Sequence, residues 1–208
     1  MSSNSNYASP SGEDRRGVIY VFLAEGFEDI EALAPVDIMR RAGLEVETVS
    51  ITDEIVVTSA HGVGVVADKT LPEIDFEDAD VMFLPGGMPG AANLDACQEL
   101  CEGLVQHVEA GRLIAAICAA PMVLGHLGIV AGKKATCYPG FEGELKGADY
   151  TAALVEQDGQ VITGKGPGAA MELGYTLVER LVSREVADQL REGMMYRPHP
   201  LTPPEGGA

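Results

Sequence analysis

The chain is 208 residues long and carries a formal net charge of −18, from 14 Lys and Arg against 32 Asp and Glu. At about 150 residues per domain, that length is one domain with room for tails. Apolar residues make up 46% of the chain, enough for a sizeable core, and the absence of Trp makes that core aliphatic. So acidic a chain argues against nucleic acid and anionic membrane as partners, because both repel a polyanion. Only five of the 14 cations are Lys, a depletion that fits a salt-rich cytosol. Four Cys are too few for a disulfide scaffold, and the first residues hold no apolar signal region, so a cytoplasmic protein is expected.

In chain order, residues 1–16 are rich in Ser, Asn and charge and read as a disordered tail. Residues 17–24 form a short apolar run that suits a buried parallel strand. The spacing of Ile30, Leu33, Ala34, Ile38 and Met39 predicts a helix over 28–42, stopped by Gly43 and interrupted by Pro35. Strands are predicted at 45–51, 55–57 and 63–67, and a buried strand at 81–87 runs into a glycine-rich turn. A helix over 94–110, a strand at 113–117 and a helix over 119–127 follow. Residues 113–131 hold no Asp, Glu, Lys or Arg, the length of a membrane span, but Pro121, Gly125, His126 and Gly128 interrupt them. Further strands are expected at 134–137, 152–156 and 160–163, then helices over 169–182 and 184–193. Residues 197–208, with four prolines, read as a second disordered tail, which leaves one domain at 17–196. Strands alternating with helices imply an α/β sandwich around a mostly parallel sheet, with ligands beyond the carboxyl ends of the strands.

Cys118 stands where an apolar strand turns at once into a helix, a tight elbow at the ligand end of the sheet. Backbone N–H groups and the positive helix terminus there favour thiolate over thiol. A buried cysteine acting as a small hydrophobe is the competing reading. Glu28 and Glu31 share one face of the first helical turn, and a carboxyl turned inward would stay protonated and donate a hydrogen bond to a thiolate. Gly86, Gly87 and Gly90 form a bare-backbone turn, and the Gly87 N–H can complete an oxyanion hole with the N–H after Cys118. Of the four histidines, His107, His126 and His199 lie far from this elbow, whereas His61 lies in a turn that can approach a site or a partner subunit. Cys97 and Cys101 have no second pair, so no metal is expected. No phosphate-loop or dinucleotide fingerprint is present, so no cofactor is expected.

The segments AEGFEDIEALAPVDIMRRAG, LPGGMPGAANL, IAAICAAP and GKGPGAAMELG together resemble the DJ-1 branch of the DJ-1/ThiJ/PfpI superfamily over residues 17–190. The resemblance implies a flavodoxin-like (class I glutamine amidotransferase-like) α/β/α sandwich and a homodimer. By position, Cys118 matches the reactive cysteine and Glu31 the glutamate that hydrogen-bonds it. Gly87 and Ala119 match the backbone donors beside the sulfur, and Arg41 an arginine at the end of the first helix. Glu28, Gly86, His61, Tyr138, Gly166 and Pro167 are expected around the site. The implied activity is cysteine-dependent protection against reactive carbonyls, as a glutathione-independent glyoxalase or deglycase acting on a small reactive aldehyde or glycated adduct. The alternative is a redox sensor or chaperone whose cysteine oxidises to sulfinate. Tyr138 replaces a histidine of some relatives, Ala119 stands where the protease-like branch has histidine, and Ala169 replaces a threonine. The second of these departures makes a cysteine peptidase or amidase the weakest reading.

Overall fold

The computed structural model describes residues 17–196. The two tails expected at 1–16 and 197–208, and His199 with them, lie outside the described residues. The first strand, β1 (Val18–Leu23), is buried along its whole length, as a strand covered on both faces must be. It feeds α1 (Asp29–Arg41), whose N-cap Glu28 accepts the Glu31 backbone N–H at 2.8 Å. Pro35 lies inside α1, so the Glu31 carbonyl lacks its usual helical donor. Next come β2 (Val46–Ser50), a small hairpin of β3 (Val56–Thr58) and β4 (Gly64–Val66), and a short edge strand, β5 (Lys69–Thr70).

β6 (Ala79–Leu84) runs into the glycine turn. The single helix expected over 94–110 is two: α2 (Gly90–Ala96) and α3 (Gln98–Glu109). Cys97 between them is extended (φ −80°, ψ 96°), so the helical ladder breaks there even though the apolar spacing continues. β7 (Leu113–Ile117) and α4 (Pro121–His126) divide the uncharged stretch into strand and short helix, and no helix among the described residues is long and apolar enough to cross a membrane. β8 (Lys134–Ala135) pairs only with β9 (Asp149–Tyr150), outside the main sheet. The strand expected at 152–156 lies later, as β10 (Val155–Asp158), and forms an antiparallel hairpin with β11 (Val161–Gly164). Gly159 (φ 63°) supplies the left-handed turn that sets this register. Helices α5 (Ala170–Leu181) and α6 (Arg184–Gly193) complete the chain.

The seven-stranded sheet has the order β10-β11-β7-β6-β1-β2-β5, parallel except at the β10 edge. Alternate residues of β1 serve opposite layers. Ile19, Val21 and Leu23 join Ile38, Met39, Leu173 and Leu190 under α1, α5 and α6. Tyr20 and Phe22 join Leu94, Leu104 and Leu124 under α2, α3 and α4. The result is the expected flavodoxin-like α/β/α sandwich, with the carboxyl ends of β1, β6 and β7 side by side at one pole.

Candidate active site

Cys118 follows β7 directly and holds a left-handed backbone, φ 66°, uncommon for a residue with a side chain. Two neighbours fix the elbow. The Cys118 N–H donates to the Gly164 carbonyl at 2.9 Å, and its own carbonyl accepts from the Tyr138 N–H at 2.8 Å. The thiol is buried. The helix that follows begins only at Pro121 and is six residues long, so its dipole is a weaker influence than the sequence implied.

Glu31 is fully buried, in the layer formed by α1, and both its carboxyl oxygens lack a well-formed hydrogen bond among the described residues. Burial pushes its pKa up to about 7, and the Glu28 charge adds to that rise. The nearby Cys118 thiol and Gly86 N–H pull it partly back. Cys118 is also pushed up, by its burial and then by the negative charge and hydrogen bond of Glu31. The N–H groups of Ala119 and Gly87 face the sulfur and act the other way. The expectation of a lowered thiol pKa is therefore reversed, because two acids share an enclosed space that tolerates one charge. A thiolate there requires a protonated Glu31, and a Glu31 carboxylate requires a protonated thiol.

Gly86 explains how the two side chains meet. A Cβ at Gly86 would lie 2.5 Å from Glu31 Oε2 and 2.7 Å from Cys118 Cβ, so only a residue without a side chain fits between them. Its carbonyl accepts the Glu28 N–H at 2.9 Å, which ties the start of α1 to the glycine turn. Gly87 has φ 90° and its α-carbon faces the Gly26 carbonyl and Glu28 nitrogen, so glycine is required there as well.

The remaining expected residues divide into two groups. Tyr138 is 47% exposed and its ring lies over Gly166. With Pro139, Leu154, Lys165 and Pro167 these two line an apolar cleft of about 250 Å³ beside the elbow. The sequence reading missed Leu154, Lys165 and the Gly164 carbonyl, all of which reach the site through the pairing of β11 with β7 and β10. Arg41 and His61 stand apart from the thiol. Arg41 is in the last turn of α1, ten positions past Glu31, about 15 Å along the axis, and its guanidinium bonds Asp37 at 2.8 Å. His61 pairs with Asp29 at 2.6 Å and is two-thirds exposed. Glu28, Asp29 and His61 can bring one ligand atom each within 4.8 Å of one another, a spacing a metal ion could use. Glu28 is occupied in capping α1, and Asp29 in pairing with His61. Cys137 is buried in the α2–α4 layer, away from the layer that holds Cys118, and all four cysteines are free thiols.

Comparison with known proteins agrees with this fold. The model of the DJ-1/PfpI family matches residues 18–180. Protein DJ-1 homolog B of Arabidopsis thaliana is 39% identical over 88% of this chain, which spans less than half (42%) of that longer protein. The glutathione-independent glyoxalase DJR-1.2 of Caenorhabditis elegans is 34% identical over 85% of this chain and 94% of its own length. A structure of Toxoplasma gondii DJ-1 in an oxidised form superposes with a TM-score of 0.83 at 35% identity, covering 87% of this chain and 99% of that one. A family model spanning most of the chain, relatives above 30% identity along almost their full length and the same fold make this protein a member of the DJ-1/PfpI family.

Proposed function

We propose that the protein converts small α-oxoaldehydes, such as methylglyoxal, to 2-hydroxy acids without glutathione, using Cys118 and Glu31. The observation that carries this reading is Glu31: a buried carboxyl poised at about 7 beside a buried thiol. A base and acid of that strength works in both directions near neutrality. As the sulfur adds to the aldehyde carbon, the thiol proton passes to the Glu31 carboxylate, and the Gly87 and Ala119 N–H groups hold the developing oxyanion. Glu31 returns that proton to the oxyanion, which completes a hemithioacetal and restores the carboxylate. It then carries a proton from the aldehyde carbon to the neighbouring carbonyl carbon while the hydroxyl proton moves to the second oxygen, which leaves the thioester of a 2-hydroxy acid. Water cleaves that ester, returning the free thiol and the 2-hydroxy acid. Tyr138 is placed to hydrogen-bond the substrate, but a phenol is a poor base at neutral pH. The nematode relative, named a glutathione-independent glyoxalase, supports the same chemistry. Glycated adducts of the same aldehydes are a second substrate class for the same nucleophile.

The working form is proposed to be a cytoplasmic homodimer. Ile30, Leu33, Val63 and Val66 are exposed on α1 and around the β3–β4 hairpin, and a second copy would cover them. The test of the activity is lactate formation from methylglyoxal with no thiol cofactor. Cys118→Ala is expected to fall to background and Glu31→Gln by at least about a hundredfold. Wild type no faster than Cys118→Ala overturns the reading.

A redox role draws on the same pair. Peroxide converts a thiolate through sulfenate to sulfinate, and a protonated Glu31 can donate to the new oxygens. Intact mass after mild peroxide should show two added oxygens on Cys118, fewer in Glu31→Gln and none in Cys118→Ser. Absence of selective oxidation argues against sensing without affecting the glyoxalase reading.

A further inference from the structure

The opposite pole of the sheet carries a second cavity, of about 360 Å³, lined by Gly17, Tyr20, Glu45, Glu47, Lys69 and Asp78. It lies at the amino ends of β1 and β2, whereas Cys118 lies past the carboxyl end of β7, so the two sites share no residue. Glu45 and Glu47 are two apart and therefore face the same side. Tyr20 stands opposite Glu47 in the β1–β2 register. The Lys69 ammonium reaches Glu47 at 3.8 Å, which leaves two of the three lining carboxylates without a cation among the described residues.

Tyr20 gives the cavity its second feature. The residue is only 2% exposed, it lines the cavity, and its hydroxyl has no hydrogen-bond partner among the described residues. Burial and the surrounding carboxylates, Glu47 and Asp78 first, hold the phenol at about 12, so it stays neutral and its oxygen can accept a hydrogen bond from a cationic donor. The ring is buried while the hydroxyl opens on the cavity, where its lone pairs can meet a donor on an entering ligand. A single metal ion does not suit the cavity. Among the described residues the one trio of ligand atoms close enough for an ion is Glu28, Asp29 and His61, elsewhere. Carboxylates spread around 360 Å³ fit instead a longer cation whose charges are separated.

We propose that this cavity binds a small aliphatic polyamine, its ammonium groups meeting Glu45 and Asp78 and one N–H reaching the Tyr20 hydroxyl. The probe is spermidine, titrated calorimetrically into the full chain at about 150 mM NaCl, where loose association with a polyanion is screened. One saturable site is expected. Tyr20→Phe removes a single oxygen and should weaken binding about tenfold, the worth of a hydrogen bond to a charged group. Glu45→Gln/Glu47→Gln should weaken it further. Asp53→Asn/Glu192→Gln makes the same change in net charge at exposed positions elsewhere and should leave it unchanged. Thermal melting of each variant confirms that it is folded. No saturation by about 10 mM spermidine overturns the proposal. So does an equal loss in the surface control, which would mean diffuse attraction to a protein of charge −18. Saturable Mg²⁺ binding that displaces spermidine at lower concentration overturns the ligand class. Lactate formation by wild type is unaffected by any of these outcomes, so the two proposals fail separately.

Discussion

Glu31 is the residue on which stability and chemistry meet. Its folded pKa of about 7 lies above the ordinary 4.5. The folded state therefore holds the proton more tightly, and stability is highest below the ordinary value and falls as pH rises toward 7. The shift corresponds to about 3 kcal/mol, of which Glu31→Gln should show none. Denaturant unfolding from pH 4.5 to 8 checks this: wild type should lose stability across that window relative to Glu31→Gln. Equal slopes would mean that Glu31 is not protonated in the fold. Cys118 was legible in the sequence because an apolar strand that stops at a helix start leaves one residue at the elbow. Glu31 was legible as one of three acids in a helical turn, but its burial was not. The backbone partners Gly164 and Tyr138 came from strands and loops whose register no local pattern states.

At the scale of elements, the far end of α4 packs against the segment after β8. Gly125 packs so closely on the Glu144 carbonyl that a Cβ would collide with it. Beside it, His126 spans Asp95 on α2 at 2.9 Å and Glu144 at 2.9 Å. These carboxylates raise the His126 pKa, so their contribution is complete at low pH and is lost as pH rises through the folded value. Gly125→Ala should cost about 1–3 kcal/mol by forcing the segment outward, and hydrogen exchange at residues 141–145 should quicken. His126→Gln should cost under about 1 kcal/mol, and only at acidic pH, because the pairs are partly solvated. An alanine variant as stable as wild type would show that the segment moves freely. The order and type of the elements were readable from periodicity, including β1, α1, β7 and α5. The break at Cys97 was not, since apolar residues keep helical spacing across it, and neither was the length of β8.

For the molecule as a whole, 32 acids against 14 bases set the net repulsion the fold must withstand. Several surface pairs already offset part of it, such as Arg40 with Asp68 and Arg191 with Glu172, Glu179 and Asp188. Salt screens what remains, so the melting temperature should climb as KCl is raised from about 0.05 to about 1 M. Maximal stability at the lowest salt would contradict that expectation. The α/β class followed from the alternation of strands and helices alone. The assignment of α1, α5 and α6 to one face and α2, α3 and α4 to the other depends on how strands cross over, which is a property of the closed sheet.

The elbow is clamped from two distant places: Gly164 holds the Cys118 nitrogen from 46 positions onward, and Tyr138 holds its carbonyl from 20. The Gly164 clamp does not exist until β11 has docked on β7. During synthesis, then, the sulfur emerges from the ribosome as an ordinary cysteine on a flexible strand. Its pairing with Glu31 in an enclosed space is complete only when the last strand of the sheet is in place, so the coupled acid pair belongs to the finished molecule alone.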